Sequence, residues 1–167
     1  VNDSRRGPGV FDRVMHAMDL LRQYGIVFGT SICYTRKNIQ TVTSDKFLDL
    51  LISKGAWFTW YFHYMPVGND ASFDLLPTPE QRAYMVRRIR EIRSVKGGKP
   101  IFAIDFQNDG QFIDGCVAGG RNYCHINPNG DVEPCVFIHY SSANINDQDL
   151  IPLSPAAPVP GICQRTA

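Results

Sequence analysis

The first hundred residues alternate between helix-like and strand-like patterns of hydrophobic positions. Apolar side chains recur every three or four residues near the start of the chain, which predicts an amphipathic helix. Its apolar face would be formed by Phe11, Val14, Met15, Met18 and Leu21. Gly25 follows as a stop signal. Residues 26–32 are short, apolar and partly β-branched, which is typical of a buried parallel strand.

A second helix-strand pair follows the first. Ser44 is a candidate N-cap, and Gly55 is a candidate end for the helix that it begins. The inner face of this helix would carry Phe47, Leu48, Leu51 and Ile52. Residues 57–65 form the second predicted strand, which is aromatic on both faces.

A third pair begins at residues 78–81, which spell a capping box with proline at the first helical position. The helix is predicted to close at Gly97 and Gly98, and residues 100–106 form the third strand. Its inward positions would be Met85, Ile89, Ile92 and Val95. The basic run at residues 87–93 is interpreted as the solvated side of this helix.

Strict alternation of helices and strands predicts right-handed crossovers onto one parallel sheet. The pattern begins on a helix, and three strands leave both sheet edges open, which natural domains usually avoid. We therefore expect an α/β fold in which residues 1–110 are part of a larger (β/α) barrel or sheet. The chain itself is expected to be a fragment.

Side chains that can bind a ligand or react lie at the carboxyl ends of the predicted strands, at the edge where such folds bind their ligands. Ser31 and Cys33 lie at the end of the first strand, His63 at the end of the second and Asp105 at the end of the third. Each has a purely structural alternative, because Ser31 and Cys33 are small enough to pack in a core and His63 can be a hydrogen-bonded core histidine.

Composition and charge exclude several classes of protein. Seventeen Lys and Arg residues balance sixteen Asp and Glu residues, so the formal charge of +1 argues against a nucleic-acid-binding surface. No apolar run is long enough to span a membrane. The odd number of cysteines, five, does not fit a secreted disulfide framework, and we expect a cytoplasmic protein.

Three of the cysteines, Cys116, Cys124 and Cys135, lie within twenty residues around a turn-rich segment. Their spacing matches neither paired zinc-ribbon cysteines nor a redox C-x-x-C motif. Residues 127–131, Asn-Pro-Asn-Gly-Asp, are a strong turn signal, so the flanking residues are predicted to form a β-hairpin. A hairpin would return Cys135 alongside the residues before the turn.

This segment resembles a known family. Cys116, thirteen residues, Gly130, four residues and Cys135 fit the C-x(9–15)-G-x(4)-C signature of the SPASM/twitch extension of radical S-adenosylmethionine enzymes. The segments FGTSICYTRKN, WYFHYMPVG and IDFQNDG are similar to later strand ends of the barrel of one branch of that superfamily. The resemblance covers residues 5 to 149.

The resemblance implies a partial (β/α) barrel in residues 1–110, an auxiliary [4Fe–4S] region in residues 111–149 and an irregular, proline-rich tail in residues 150–167. Cys116 and Cys135 would be two ligands of the auxiliary cluster. Ser31, Arg36 and His63 would face S-adenosylmethionine or the substrate. The parent enzyme would form a 5′-deoxyadenosyl radical to modify a substrate, and the expected substrate class is a peptide or protein. Its electron donor would be a protein such as flavodoxin or ferredoxin.

The sequence also departs from the family pattern. The C-x(3)-C-x(2)-C element that holds the cofactor-cleaving cluster is absent, since successive cysteines are 83, 8, 11 and 28 residues apart. We therefore expect this chain alone not to cleave S-adenosylmethionine. Cys163, in the proline-rich tail, is a poor ligand candidate. Cys124 is either a third ligand or a small hydrophobe buried against the sheet, and we favour the second interpretation.

A different class of function stays open. Cys116, Cys124 and Cys135 can be the thiolates of a non-catalytic zinc module, with His125 or His139 as the fourth ligand, because structural zinc takes four nitrogen or sulfur ligands.

Overall fold

A computed structural model describes residues 3, 6–112, 115–116 and 123–147. The chain divides into two compact units at the junction between Asp109 and Gly110. The proline-rich tail predicted for residues 150–167, including Cys163, lies outside the described residues, as does the glycine-rich loop at residues 117–122.

The first unit consists of helices and strands in alternation, as the pattern predicts. The helices are α1 (Val10–Gln23), α2 (Ile39–Val42), α3 (Asp45–Lys54) and α4 (Pro79–Ile92). The strands are β1 (Gly29–Tyr34), β2 (Phe58–His63) and β3 (Phe102–Asp105). The short helix α2 was not predicted.

The three strands form one parallel sheet in the order β1-β2-β3. Tyr34 of β1 lies beside His63 of β2, and Tyr61 of β2 lies beside Asp105 of β3. The carboxyl ends of all three strands therefore meet at one edge, and the predicted parallel α/β arrangement is confirmed.

Helices and strands share a single core in this unit. Its members are buried apolar side chains from one face of the sheet and from the helices that pack against it. The main contributors are Met18, Tyr34, Leu48, Leu51, Tyr61, Met85, Ile89, Ile92 and Ala103. Three of the four inward positions predicted for α4 are among them.

The predicted helix caps are present. The Ser44 hydroxyl accepts a hydrogen bond of 3.2 Å from the Phe47 N–H, and Gly55 ends α3 with a φ of 93°. At the start of α4, the Thr78 hydroxyl accepts from the Gln81 N–H, and Gln81 Oε1 accepts from the Thr78 N–H, as a capping box requires.

Two boundaries differ from the predictions. Strand β1 begins at Gly29, because the Ile26 N–H donates to the Leu21 carbonyl at the end of α1, which removes Ile26 from the sheet. Helix α4 ends at Ile92, whose carbonyl accepts from the Lys99 N–H and so closes a loop. Val95 lies in that loop and is fully exposed, so its predicted inward position was wrong.

The basic run on α4 is not simply a solvated face. Arg88 pairs with Asp45 and Glu91, and its side chain is mostly covered. Arg93 binds both carboxylate oxygens of Asp109 and donates from Nε to the Ala103 carbonyl. These two arginines fasten α4 to neighbouring segments.

In the second unit, strands β4 (His125–Ile126) and β5 (Val132–Glu133) pair in antiparallel fashion. The turn between them is organised by Asn127, whose Oδ1 accepts from the Asn129 and Asp131 N–H groups. The Asn127 N–H donates to the Asp131 carbonyl and closes the turn. Gly130 within the turn has a φ of 88°, in the left-handed region that favours glycine.

Candidate functional site

The two faces of the parallel sheet differ in character, and side chains alternate between them along each strand. One face, which includes Tyr34 and Tyr61, packs in the core against the helices. The opposite face carries Ser31 and Trp60, both exposed, and these two residues are register partners. Ser31 therefore lies on the open face of the sheet, where a ligand can reach its hydroxyl.

An aromatic cluster lies beside Ser31 on the open face. The ring centroids of Trp60 and Phe62 are 5.2 Å apart, and those of Phe62 and Phe106 are 4.9 Å apart. The sequence indicated that the second strand is aromatic. In the structure the rings of Trp60 and Phe62 contact that of Phe106, the residue that follows β3. Cys33, which was expected to be a buried small hydrophobe, is only half-buried on this face.

His63 lies on the other face from Ser31, because it is the register partner of Tyr34 and the two rings contact each other. Its Nδ1 is 3.2 Å from the Tyr64 carbonyl oxygen, so this nitrogen carries the proton in the neutral ring. Burial lowers the pKa of His63, and the imidazole is therefore neutral at pH 7. The structure does not bring Ser31 and His63 onto one face.

Arg36 lies in the loop after β1, and its backbone is held by the segment before α4 and by the first turn of α4. Its N–H donates to the Leu75 carbonyl, and its own carbonyl accepts from Gln81 Nε2. Its Nε donates to the Leu76 carbonyl at 3.0 Å, while the side chain stays exposed. The arginine is thus presented at the same end of the sheet as Tyr34 and His63.

Sequence reasoning did not assign a role to the polar cluster that follows β3. Asp105 is almost fully buried, and its Oδ2 accepts a hydrogen bond of 2.7 Å from Asn108 Nδ2. The same nitrogen is 3.5 Å from the Tyr34 hydroxyl. Burial raises the pKa of Asp105, and burial together with the nearby Asp105 charge raises the pKa of Tyr34. The sequence signal that could have identified this cluster was an aspartate at the end of an otherwise apolar strand.

Two of the three candidate cysteines of the second unit raise the pKa of one phenol. The pKa of Tyr123 is raised by burial, then by the negative charge of the Cys135 thiolate and then by that of Cys116. Both thiol groups therefore lie within electrostatic reach of the same hydroxyl. Cys135 is buried, whereas Cys116 is exposed.

Cys124 is exposed and does not contribute to this shift. The expectation that Cys124 is a small hydrophobe buried against the sheet was therefore wrong. The residue that faces the inside of the unit is the next one in the chain. His125, the next residue, is half-buried and faces Glu133.

The histidines considered for a zinc site lie around Glu133 instead. The buried Glu133 carboxylate is 3.4 Å from His139 Nδ1 and 3.9 Å from His125 Nε2, and it accepts from Asn127 Nδ2 at 3.1 Å. Within the part of the chain that the structure describes, no three His, Cys, Asp or Glu side chains are placed to hold a metal ion together. The described residues thus offer two thiols that both influence Tyr123 and no complete zinc site.

No helix in the described ranges is both long enough and apolar enough to cross a lipid bilayer.

Comparison with known proteins adds independent information. The chain is 32% identical over 147 residues to mycofactocin maturase MftC of Mycolicibacterium smegmatis, which corresponds to 82% of this chain and 36% of that protein. It is 25% identical over 171 residues to an AdoMet-dependent heme synthase of Oleidesulfovibrio alaskensis, covering 88% of this chain and 43% of the relative. A second such synthase, from Methanosarcina barkeri, is 24% identical over 168 residues, which cover 88% of this chain and 47% of that relative. No family model matches the chain.

These relatives are radical S-adenosylmethionine enzymes. The chain belongs to the radical S-adenosylmethionine superfamily. It spans less than half the length of these relatives.

Proposed function

We propose that the chain contributes two parts of a radical S-adenosylmethionine enzyme. The first unit supplies later strands of the (β/α) barrel, and residues 111–149 form a SPASM-type region that holds an auxiliary [4Fe–4S] cluster. When bound, S-adenosylmethionine supplies the chemistry of such enzymes, which is hydrogen abstraction by a 5′-deoxyadenosyl radical after reductive cleavage. The protein positions the reactants and excludes competing reactions.

In the barrel part, Ser31 fits a hydrogen-bonding contact to the cofactor, because its hydroxyl is exposed on the open face of the sheet. Arg36 fits a contact to a carboxylate, since it is exposed in the loop after β1. His63 is neutral and half-buried on the other face of the sheet. It therefore fits an indirect role, in which it positions neighbouring residues at the carboxyl edge. These three roles are proposals.

The observation that carries the cluster proposal is the C-x(13)-G-x(4)-C element, whose two cysteines are Cys116 and Cys135. Both cysteines also contribute to the raised pKa of Tyr123, so each lies within electrostatic reach of its hydroxyl. Iron–sulfur clusters are held by thiolates, and their potentials respond to neighbouring hydrogen-bond donors, which the Tyr123 hydroxyl can provide. These two thiolates would be part of the ligand set.

We propose a peptide or protein as the substrate and a flavodoxin- or ferredoxin-type electron donor as the partner. Support for the substrate comes from the 32% identity to a protein named as a maturase, which exceeds the identity to the heme synthases.

The test is iron binding after anaerobic reconstitution of the whole chain with iron and sulfide. We expect a brown protein that absorbs near 400 nm. Cys116→Ala and Cys135→Ala should each remove most of the bound iron and the associated absorbance. Cys124→Ser and Cys163→Ala are the matched controls, and they should retain the wild-type iron content.

Two results would contradict the proposal. A colourless protein with one equivalent of zinc would show a zinc module instead. Equal loss of iron from all four variants would show that the site is not at Cys116 and Cys135. A different outcome would extend the proposal: if Cys124→Ser loses iron as completely as Cys116→Ala does, Cys124 is a further ligand.

A separate assay addresses cofactor cleavage. The reconstituted chain with dithionite should form no 5′-deoxyadenosine from S-adenosylmethionine, because its cysteine spacings do not supply C-x(3)-C-x(2)-C. Formation of 5′-deoxyadenosine above the level of a protein-free control would refute this expectation.

A further inference from the structure

The turn of the second unit contains Asn129-Gly130, which is the only Asn-Gly pair in the sequence. In such a pair the asparagine side chain can react with the backbone nitrogen of the next residue, and glycine has no Cβ to obstruct the approach. Asn129 is exposed, whereas Gly130 is buried. The side chain is therefore open to water, while the residue that supplies the reacting nitrogen lies inside the turn.

The Gly130 nitrogen is engaged in the folded turn. Its N–H donates to the Asn127 carbonyl at 2.9 Å, and the Gly130 carbonyl accepts from the Ile145 N–H, also at 2.9 Å. The nitrogen must lose its proton before it can attack a carbonyl carbon, and a hydrogen-bonded amide loses its proton only after local opening. The reaction therefore requires the turn to open.

Two further asparagines hold the peptide group that the nitrogen belongs to. The carbonyl of this group, that of Asn129, accepts from Asn144 Nδ2 at 3.0 Å and from Asn146 Nδ2 at 3.1 Å. The Asn129 N–H also donates to Asn127 Oδ1 at 2.9 Å. Attack requires the peptide group to rotate relative to the Asn129 side chain, and these bonds oppose the rotation.

We propose that Asn129 is a site of spontaneous deamidation and that Asn127, Asn144 and Asn146 restrain the reaction by keeping the turn closed. In the reaction the Gly130 nitrogen forms a bond to Asn129 Cγ, the bond between Cγ and Nδ2 breaks, and ammonia leaves with the proton from the Gly130 nitrogen. The cyclic imide that remains, a succinimide, is opened by water to aspartate or to isoaspartate. Water is the only co-reactant, and the site does not depend on the iron–sulfur proposal.

Either product changes the turn. Aspartate adds a negative charge, and isoaspartate carries the main chain through the former side chain, which lengthens the backbone. The longer backbone displaces the residue 129 carbonyl from the amides of Asn144 and Asn146. Deamidation should therefore loosen the second unit, and the isolated product should show faster hydrogen exchange at the Val132 amide, which donates to the Ala143 carbonyl.

The test incubates the whole chain at neutral pH and physiological temperature. Peptide mapping by mass spectrometry follows the conversion of the Asn129 amide to a carboxylate, and hydrogen exchange of the Gly130 amide is measured on the same protein. The folded wild type should deamidate at least roughly tenfold more slowly than the chain unfolded in guanidinium chloride, because several hydrogen bonds must open first.

Variants of the asparagines make the test specific. Asn146→Ala removes one bond to the turn and should speed both deamidation and Gly130 exchange by about fivefold. Asn144→Ala removes two bonds and should speed them further. Asn69→Ala, which removes an exposed asparagine of the first unit, is the matched control and should react as the wild type does. If Asn144→Ala unfolds the unit, it should react as fast as the unfolded chain, and Asn146→Ala carries the comparison.

Three outcomes would overturn the proposal. Equal rates in the folded and the unfolded chain would show that the turn does not restrain the reaction. Slower deamidation in Asn146→Ala would show that the side-chain amides activate the peptide group instead of protecting it. Conversion at other asparagines while Asn129 stays intact would show that the reactive site lies elsewhere.

Discussion

Gly130→Ala is the sharpest single perturbation of the cysteine-bearing unit. Gly130 has a φ of 88°, and an added Cβ would lie 2.7 Å from Asn144 Oδ1 and closer still to Asn146 Nδ2. Neither neighbour moves freely. Asn144 Nδ2 donates to the Asn129 carbonyl and to Asp131 Oδ1, each at 3.0 Å, and Asn146 Nδ2 donates to the Asn129 carbonyl at 3.1 Å.

The expected cost has two parts. Placing a residue with a Cβ in the left-handed region costs about 1–2 kcal/mol. Displacing the Asn146 side chain breaks its hydrogen bond to Asn129, which is worth about 1 kcal/mol. Gly130→Ala should therefore lower the opening free energy of this unit by roughly 2–3 kcal/mol.

Native-state hydrogen exchange measures this cost within one unit. The Val132 amide, which donates to the Ala143 carbonyl, reports on the second unit, and the Phe106 amide, which donates to Tyr61, reports on the sheet. Exchange at Val132 should accelerate while exchange at Phe106 stays unchanged. In the Asn146→Ala background the Gly130→Ala change should cost about 1 kcal/mol less, because the nearer of the two clashing side chains is gone while Asn144 remains.

Gly97→Ala is the matched backbone control, since Gly97 has a φ of 79° and nothing within 4 Å of an added Cβ. It should cost only the backbone part, about 1–2 kcal/mol. If Gly130→Ala costs no more than Gly97→Ala, or if removing Asn146 gives no relief, the proposed steric fit between the turn and the asparagine pair is wrong.

Other predictions concern the first unit. Met85→Ala should lower the free energy of unfolding by about 2–5 kcal/mol, because Met85 is fully buried, whereas Val95→Ala should change it by less than about 0.5 kcal/mol; urea denaturation measures both. Thr78→Ala should cost about 1 kcal/mol in the same assay by removing the helix cap. Burial raises the pKa of Tyr61 from 10.0 to about 12, so its contribution to stability is complete below pH 10 and is lost as the pH rises toward 12. The wild type should therefore lose roughly 2 kcal/mol more than Tyr61→Phe between pH 10 and pH 12, and parallel curves would contradict the buried phenol.

Helix ends were the features most accurately predicted, and the reason is that their determinants are local. A cap hydroxyl bonds to an amide three residues away, so Ser44 and Thr78 could be recognised without knowing the fold. Gly55 likewise ends its helix through its own backbone conformation. The end of α4 was predicted wrongly, because the Lys99 N–H bonds to the Ile92 carbonyl and Val95 lies in the loop that this bond closes.

The candidate site was predicted only in part. The order of helices and strands located the carboxyl edge of the sheet and named Ser31, Arg36 and His63 near it. The face on which each side chain lies was not predictable, because it depends on the register in which β1 pairs with β2, two strands that are far apart in the chain. Pairing of Ser31 with Trp60, and of Tyr34 with His63, places Ser31 and His63 on opposite faces.

The sequence by itself determined the superfamily element Cys116-x(13)-Gly130-x(4)-Cys135, the alternation of helices and strands, and the helix caps, because each depends on residues close together in the chain. Only the tertiary structure decided that Asp105 is buried with an unpaired oxygen, that the Glu133 carboxylate lies beside both His125 and His139, and that Cys135 and Cys116 both raise the pKa of the Tyr123 phenol. Burial and electrostatic contact join residues that are far apart in the chain, and they exist only after the strands and turns have paired.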